Sequence, residues 1–263
     1  MCLLVLAWRC DPRYRLVVAA NRDEYHARAA APLARWTDPP GIAGGRDLQA
    51  RGAWFAVDER RRCGMVTNFR EFGRRRRSAP SRGGLIPAFL ATQREPEDFL
   101  GTLETDAPGY AGFNLLIADQ QALWYASNRA DHFARQLSAG IYGLSNEFLD
   151  TPWPKLVRTR ERLAGLLAGR QGADPRALTA ALFTALADRE PAPPAALPTG
   201  GDLSPEWARK LSAPFVLDAT YGTRCSTVLT IGYDGALLMT ERRFDANGDP
   251  AGESEYALNA DGT

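Results

Sequence analysis

Short apolar runs separated by charged or glycine-containing turns, with helix-patterned segments grouped between them, predict an α+β fold. Three observations carry this reading. Residues 2–8 and 16–20 are compact apolar runs across the turn Asp11-Pro12-Arg13, as in a β-hairpin. Residues 224–233 and 236–244 form a second such pair over Asp234-Gly235. Between them, residues 154–167 and 174–186 carry helical patterning. Helices are therefore expected to cover stacked antiparallel sheets.

The elements follow in order. Residues 2–8 lack helical charge spacing and read as a buried strand. Residues 36–47, rich in Pro and Gly, read as a loop. Residues 53–58 and 63–67 read as a strand pair across Glu59-Arg60-Arg61-Arg62, and residues 70–84 as a basic loop. Residues 85–93 and 96–103 read as short helices. Strand signals return at 113–118, 122–127 and 140–143. Leu156, Val157, Leu163, Leu166 and Leu167 form one apolar face of a helix over 154–167. Asp174-Pro175 opens the next helix, with Asp as N-cap and Pro in the first turn. Residues 190–201 read as a loop. There is no internal repeat and no long linker, so a single domain over 1–263 is expected.

Composition narrows the function. The 263 residues are 45% hydrophobic and 24% charged, ordinary for a globular protein. A formal net charge of +1 gives no field toward nucleic acid or anionic lipid. The run Arg74-Arg75-Arg76-Arg77 reads as a solvated loop. Arginine supplies nearly all the positive charge; Lys155 and Lys210 are the only lysines, which we attribute to compositional bias. The apolar runs are too short for a signal peptide or a membrane span, so a cytosolic protein with reduced thiols is expected. Cys2, Cys10, Cys63 and Cys225 make no C-x-x-C pair, and His26 and His132 are the only histidines. No metal site or catalytic cofactor is expected.

Cys2 is the sharpest chemical feature. Removal of Met1 would leave it as the amino terminus. Its α-amine, with a reference pKa of about 7.7–8.0, would then serve as base for its own thiol. The alternative is an inert cysteine starting a buried strand. Asn21-Arg22-Asp23-Glu24 follows the second apolar run. It reads either as a site, with a carboxylate to hold the amine, or as an exposed turn.

These segments, together with Gly112-Phe113-Asn114-Leu115-Leu116, Tyr142-Gly143-Leu144-Ser145-Asn146, Pro152-Trp153-Pro154-Lys155 and Tyr221-Gly222-Thr223-Arg224, resemble the NRDE family. It is also called the transport and Golgi organisation protein 2 family. That family is similar to the N-terminal-nucleophile (Ntn) hydrolases, near the bile-salt hydrolase and penicillin V acylase group. The resemblance implies a four-layer αββα sandwich with two antiparallel sheets. It implies a catalytic set of Cys2, Asp23, Asn68, Asn146 and Arg224, with Asn21, Arg22 and Glu24 at the substrate. Asp23 takes the amine-holding position, and Asn68 and Asn146 are candidate oxyanion donors. The arginine that opens the hydrolase motif is replaced by Ala20, and Arg22 is expected on the other strand face.

Two functions stay open at this point. One is a cysteine amidohydrolase or acyl-transfer enzyme acting on a small, partly apolar molecule. The other, implied by the resemblance alone, is a non-enzymatic haem-trafficking protein. There haem would be a carried ligand, with Cys2 and His132 as chemically suitable axial groups.

Overall fold

A computed structural model describes residues 2–71, 79–169, 174–197 and 203–260. Met1, the arginine run 74–77 and part of the loop 190–201 lie outside the described residues. The fold is α+β, with two antiparallel sheets. The chain divides into two compact units. The first holds residues up to Ala27, Ala139–Ser145 and Leu149 onward; the second holds Arg28–Ser138 and Asn146–Phe148.

In the first unit, β1 (Leu3–Trp8) lies between β10 (Gly140–Leu144) and β2 (Tyr14–Tyr25). The sheet continues through β11 (Tyr221–Gly232), β12 (Leu237–Phe244) and β13 (Pro250–Leu258). Every residue of β1 is buried, which explains its unbroken apolar run. Helices α3 (Pro154–Ala168) and α4 (Pro175–Leu186) cover one face. Their Leu156, Leu163, Leu178, Leu182 and Leu186 pack with Leu3, Val5, Val17, Ala19 and Val228. The expected cap is present: the Asp174 carboxylate accepts from the backbone N–H groups of Arg176 and Ala177.

Two expectations for this unit are corrected. First, the Asn21-Arg22-Asp23-Glu24 motif lies within β2, not beyond it, because β11 pairs with β2 as far as Tyr25–Tyr221. Second, the chain does not close on the β11–β12 hairpin, because β13 adds an edge strand. Its exposed Glu253 and Glu255 hid the apolar alternation, as charges on edge strands do. A short helix α5 (Pro205–Lys210), in a stretch to which the sequence assigned no element, follows the Pro/Gly-rich loop and is capped by Ser204.

In the second unit, seven strands follow one another in chain order as an antiparallel meander. They are β3 (Ala30–Thr37), β4 (Pro40–Asp47), β5 (Phe55–Asp58), β6 (Cys63–Asn68), β7 (Phe113–Ala118), β8 (Leu123–Ser127) and β9 (Ala134–Gln136). Helices α1 (Leu85–Leu90) and α2 (Pro96–Asp106) bring Ile86, Phe89, Phe99 and Leu100 onto Ile42, Ala56, Leu115 and Ile117. Apart from the turn Asp38-Pro39, residues 36–47 are thus strand, and the expected loop is corrected. Gly44 belongs there because β5 approaches closely, not because the chain turns. A Cβ at Gly44 would stand 2.7 Å from the Phe55 carbonyl oxygen and 2.8 Å from the Ala56 Cβ. Gly44→Ala is therefore expected to cost about 1–3 kcal/mol by overpacking, read as a lower urea midpoint at unchanged slope. Among the described residues, no helix is long and apolar enough to cross a membrane.

Candidate functional site

Cys2 immediately precedes β1 and is half-buried. Its carbonyl oxygen accepts a 2.7 Å hydrogen bond from Ser145 Oγ. The next residue, Leu3, pairs with Asn21, and Leu4 pairs with both Ala20 and Leu144. Cys2 is therefore carried by a strand hydrogen-bonded on both sides. β2 and β11 run on past this point through Arg22–Tyr25 and Tyr221–Cys225. At about 3.3 Å per residue this extension is about 13 Å long.

The extension holds Asp23. Its strand partner is Thr223, whose Oγ1 donates to Asp23 Oδ1 at 2.7 Å and accepts from the Val216 N–H at 2.9 Å. Tyr221 Oη donates to the Asp23 backbone carbonyl at 3.0 Å. Lys155 Nζ lies 3.8 Å from Asp23 Oδ2, and both side chains are fully buried. Lys155 gets there because Pro154 begins α3 and the first turn packs on the sheet. Burial pushes the Asp23 carboxyl above its ordinary range, since a buried charge lacks hydration. The charges of Lys155 and Arg22 pull it back, as does the Thr223 hydrogen bond.

Lys155 was not among the candidate site residues drawn from the sequence. The available signal was a rare lysine in an arginine-dominated chain, inside the Pro152-Trp153-Pro154-Lys155 segment.

The neighbours of Asp23 have their own partners. Asn21 is buried, and its Nδ2 donates to the carbonyls of Leu186 and Pro214, each at 2.9 Å. Its Oδ1 accepts from Ser226 Oγ at 2.6 Å. These bonds tie β2 to the end of α4 and to the segment before β11. Arg22 is buried, pairs across the sheet with Cys225 and has its Nη2 3.9 Å from Glu24 Oε2. Burial raises the Cys225 thiol well above its ordinary value, which makes it a poor nucleophile.

The expected orientation of Arg22 is corrected. Ala20 and Arg22 are two residues apart on one strand, a full pleat period, so they share a face. Asp23 points to the other.

Arg224 sits at an irregularity. Thr223 pairs with Asp23 and Cys225 with Arg22, so Arg224 is the extra residue of a β-bulge. The bulge re-aims its guanidinium, and Nη1 donates to the carbonyls of Tyr25 at 3.1 Å and His26 at 2.8 Å. His26 Nε2 lies 2.9 Å from the Asp218 carbonyl oxygen.

Asn68 and Asn146 belong to the second unit. Asn68 ends β6 and is exposed, whereas Asn146 is buried. Asn146 Nδ2 donates to the Asn68 carbonyl at 2.7 Å, and the Arg70 N–H donates to the Asn146 carbonyl at 2.7 Å. His132, also in this unit, is exposed.

Fold and site together define an α+β protein of two antiparallel sheets with a buried Asp–Lys pair beside the strand that follows Cys2. The chain belongs to the Transport and Golgi organisation 2 family, whose family model matches residues 1–246.

It is 33% identical over 258 residues to the Transport and Golgi organization protein 2 homolog of Bos taurus, covering 91% of this chain and 92% of that one. It is 30% identical over 256 residues to the Homo sapiens homolog, with the same coverage. It is 24% identical over 274 residues to the Drosophila melanogaster protein, covering 96% and 95%. Among solved structures, it is similar to the Caenorhabditis elegans N-acylethanolamine-hydrolyzing acid amidase (NAAA) ortholog. That match has 13% identity and a TM-score of 0.37, over 87% of this chain and 92% of that one. At that TM-score the likeness carries no weight for function.

Proposed function

We propose that the protein is an Ntn-type enzyme, an amidohydrolase or acyl-transferase on C–N amide or related acyl bonds of a small, partly apolar molecule. Cys2 is the nucleophile once Met1 is removed. The observation that supports this best is the buried Asp23 carboxylate, held by Thr223 and Lys155 on the strand that pairs with β1. A carboxylate out of water needs a cationic partner, and the ammonium of a chain beginning at Cys2 is one. Arg22 offers a guanidinium on the face of Ala20, one pleat period farther along, in place of the missing arginine.

In this reading the neutral α-amine of Cys2 takes the thiol proton, and the thiolate attacks the acyl carbon. The carbonyl π electrons move to oxygen, and donors at that oxygen stabilise the charge. Asn68 and Asn146 are assigned to that part on the sequence match alone. Collapse breaks the C–N bond, and the ammonium returns its proton to the leaving nitrogen. Water, deprotonated by the same amine, then cleaves the thioester.

The test is intact mass of the purified protein, followed by assay against a panel of acyl amides before and after thiol alkylation. A chain beginning at Cys2 with alkylation-sensitive turnover is expected. A chain retaining Met1 and cleaving no acyl amide overturns the proposal. A Soret band on added haem that Cys2→Ala abolishes would instead favour haem carriage.

A further inference from the structure

Asp23 can hold an ammonium only while it is itself charged, and its surroundings work against that. Its side chain is fully buried, so water does not stabilise the anion. The groups around it include Lys155 from α3, Arg22 from its own strand, and Thr223 and Tyr221 from β11. Of these, Lys155 exerts the strongest pull toward the charged form. Arg22 points to the opposite face and has Glu24 at 3.9 Å, and Tyr221 addresses only the backbone carbonyl. Lys155 itself is fixed, because it lies in the first turn of a helix whose Leu156 is packed in the core.

We propose that Lys155 is a positioning residue that keeps Asp23 ionised, so that its carboxylate is available to the amino-terminal ammonium. The proposal deepens the Ntn reading above and rests on it. Lys155 touches neither nucleophile nor substrate in this scheme; it acts through Asp23. A second consequence follows from charge alone. With Lys155 already beside the carboxylate, the terminal amine is not obliged to stay protonated to neutralise it. The amine is then freer to serve as a base near neutral pH.

The test uses the full chain, with loss of Met1 verified by mass. Carbon-13 NMR of aspartate-labelled protein follows the Asp23 carboxyl against pH, with Asp23→Asn identifying its signal. In Lys155→Met and Lys155→Gln the Asp23 midpoint is expected to rise by about one pH unit or more, and Lys155→Arg to restore most of it. An unmoved midpoint in a folded neutral variant overturns the proposal. If both neutral variants fail to fold while Lys155→Arg folds, the lysine is structural and the proposal also falls. Competitive acylation of the amino-terminal amine tests the underlying reading separately. Asp23→Asn is expected to lower the amine midpoint, because its counterion is gone. An amine indifferent to Asp23 would overturn the Ntn reading whatever Lys155 does to the carboxyl.

Discussion

Cys2→Ala is expected to lower kcat/KM for an acyl amide by at least about 10³-fold, and a bulky, uncleavable residue placed before Cys2 to do the same. The two changes act on different atoms. Alanine removes the sulfur. The block leaves the thiol in place but moves the free amine one residue away and puts an amide nitrogen where the base should be. That amide cannot take a proton. His26, the histidine of the same unit, has its Nε2 engaged by the Asp218 carbonyl. A thiolate stabilised by a neighbouring ammonium is lost as well. The check is steady-state kinetics on matched preparations, with circular dichroism confirming the fold. Equal loss from both changes marks an amino-terminal nucleophile. Loss with alanine but full activity with the block would mean that Cys2 works with another base, and the Ntn mechanism would be wrong.

The parts of the fold legible in the sequence were those with one dominant signal. β1 is apolar throughout because it is buried throughout, and α4 announces itself through Asp174 and Pro175. The parts that were not legible have polar or glycine-rich sequences whose partners are distant in the chain. Gly44 is required by β5, which begins at Phe55, eleven residues later. The motif Asn21-Arg22-Asp23-Glu24 looked like a strand end because four polar side chains rarely run through the middle of a sheet. Thr223 and Ser226, about 200 residues away, satisfy Asp23 and Asn21 there. The same separation hid Lys155, since nothing local to α3 reveals that its first turn faces a carboxylate on β2. Conversely, the amine-holding role of Asp23 was implied by family resemblance, and the pleat separates Asp23 from Arg22. The two neighbours occupy opposite faces, and Asp23 is on the one that receives Lys155.

Breaking the Asp23–Lys155 pair from one side is expected to destabilise the fold more than removing both partners. Both side chains are fully buried, so either substitution alone leaves a desolvated charge behind. Lys155→Met should cost about 3–5 kcal/mol, a large share of the ordinary 5–15 kcal/mol of a folded domain. Asp23→Leu should cost a similar amount, because the buried Lys155 ammonium loses the Asp23 carboxylate. The double variant Asp23→Leu/Lys155→Met removes both charges of the pair and fills similar volume, so it should recover most of the loss. The resulting cycle gives a large coupling energy between residues far apart in sequence.

The pH dependence has a definite sign. The folded Asp23 carboxyl is raised above its unfolded value by burial. Its contribution to stability is thus fully present below the unfolded value of about 3.9 and is lost as pH rises through the folded one. Lys155→Met removes the strongest opposing charge and enlarges this effect. Its penalty should therefore be smaller at pH 5 than at pH 8. Urea denaturation of the four proteins at the two pH values measures this directly. A Lys155→Met penalty that stays constant or grows toward low pH would mean that the buried carboxylate is not what the lysine compensates.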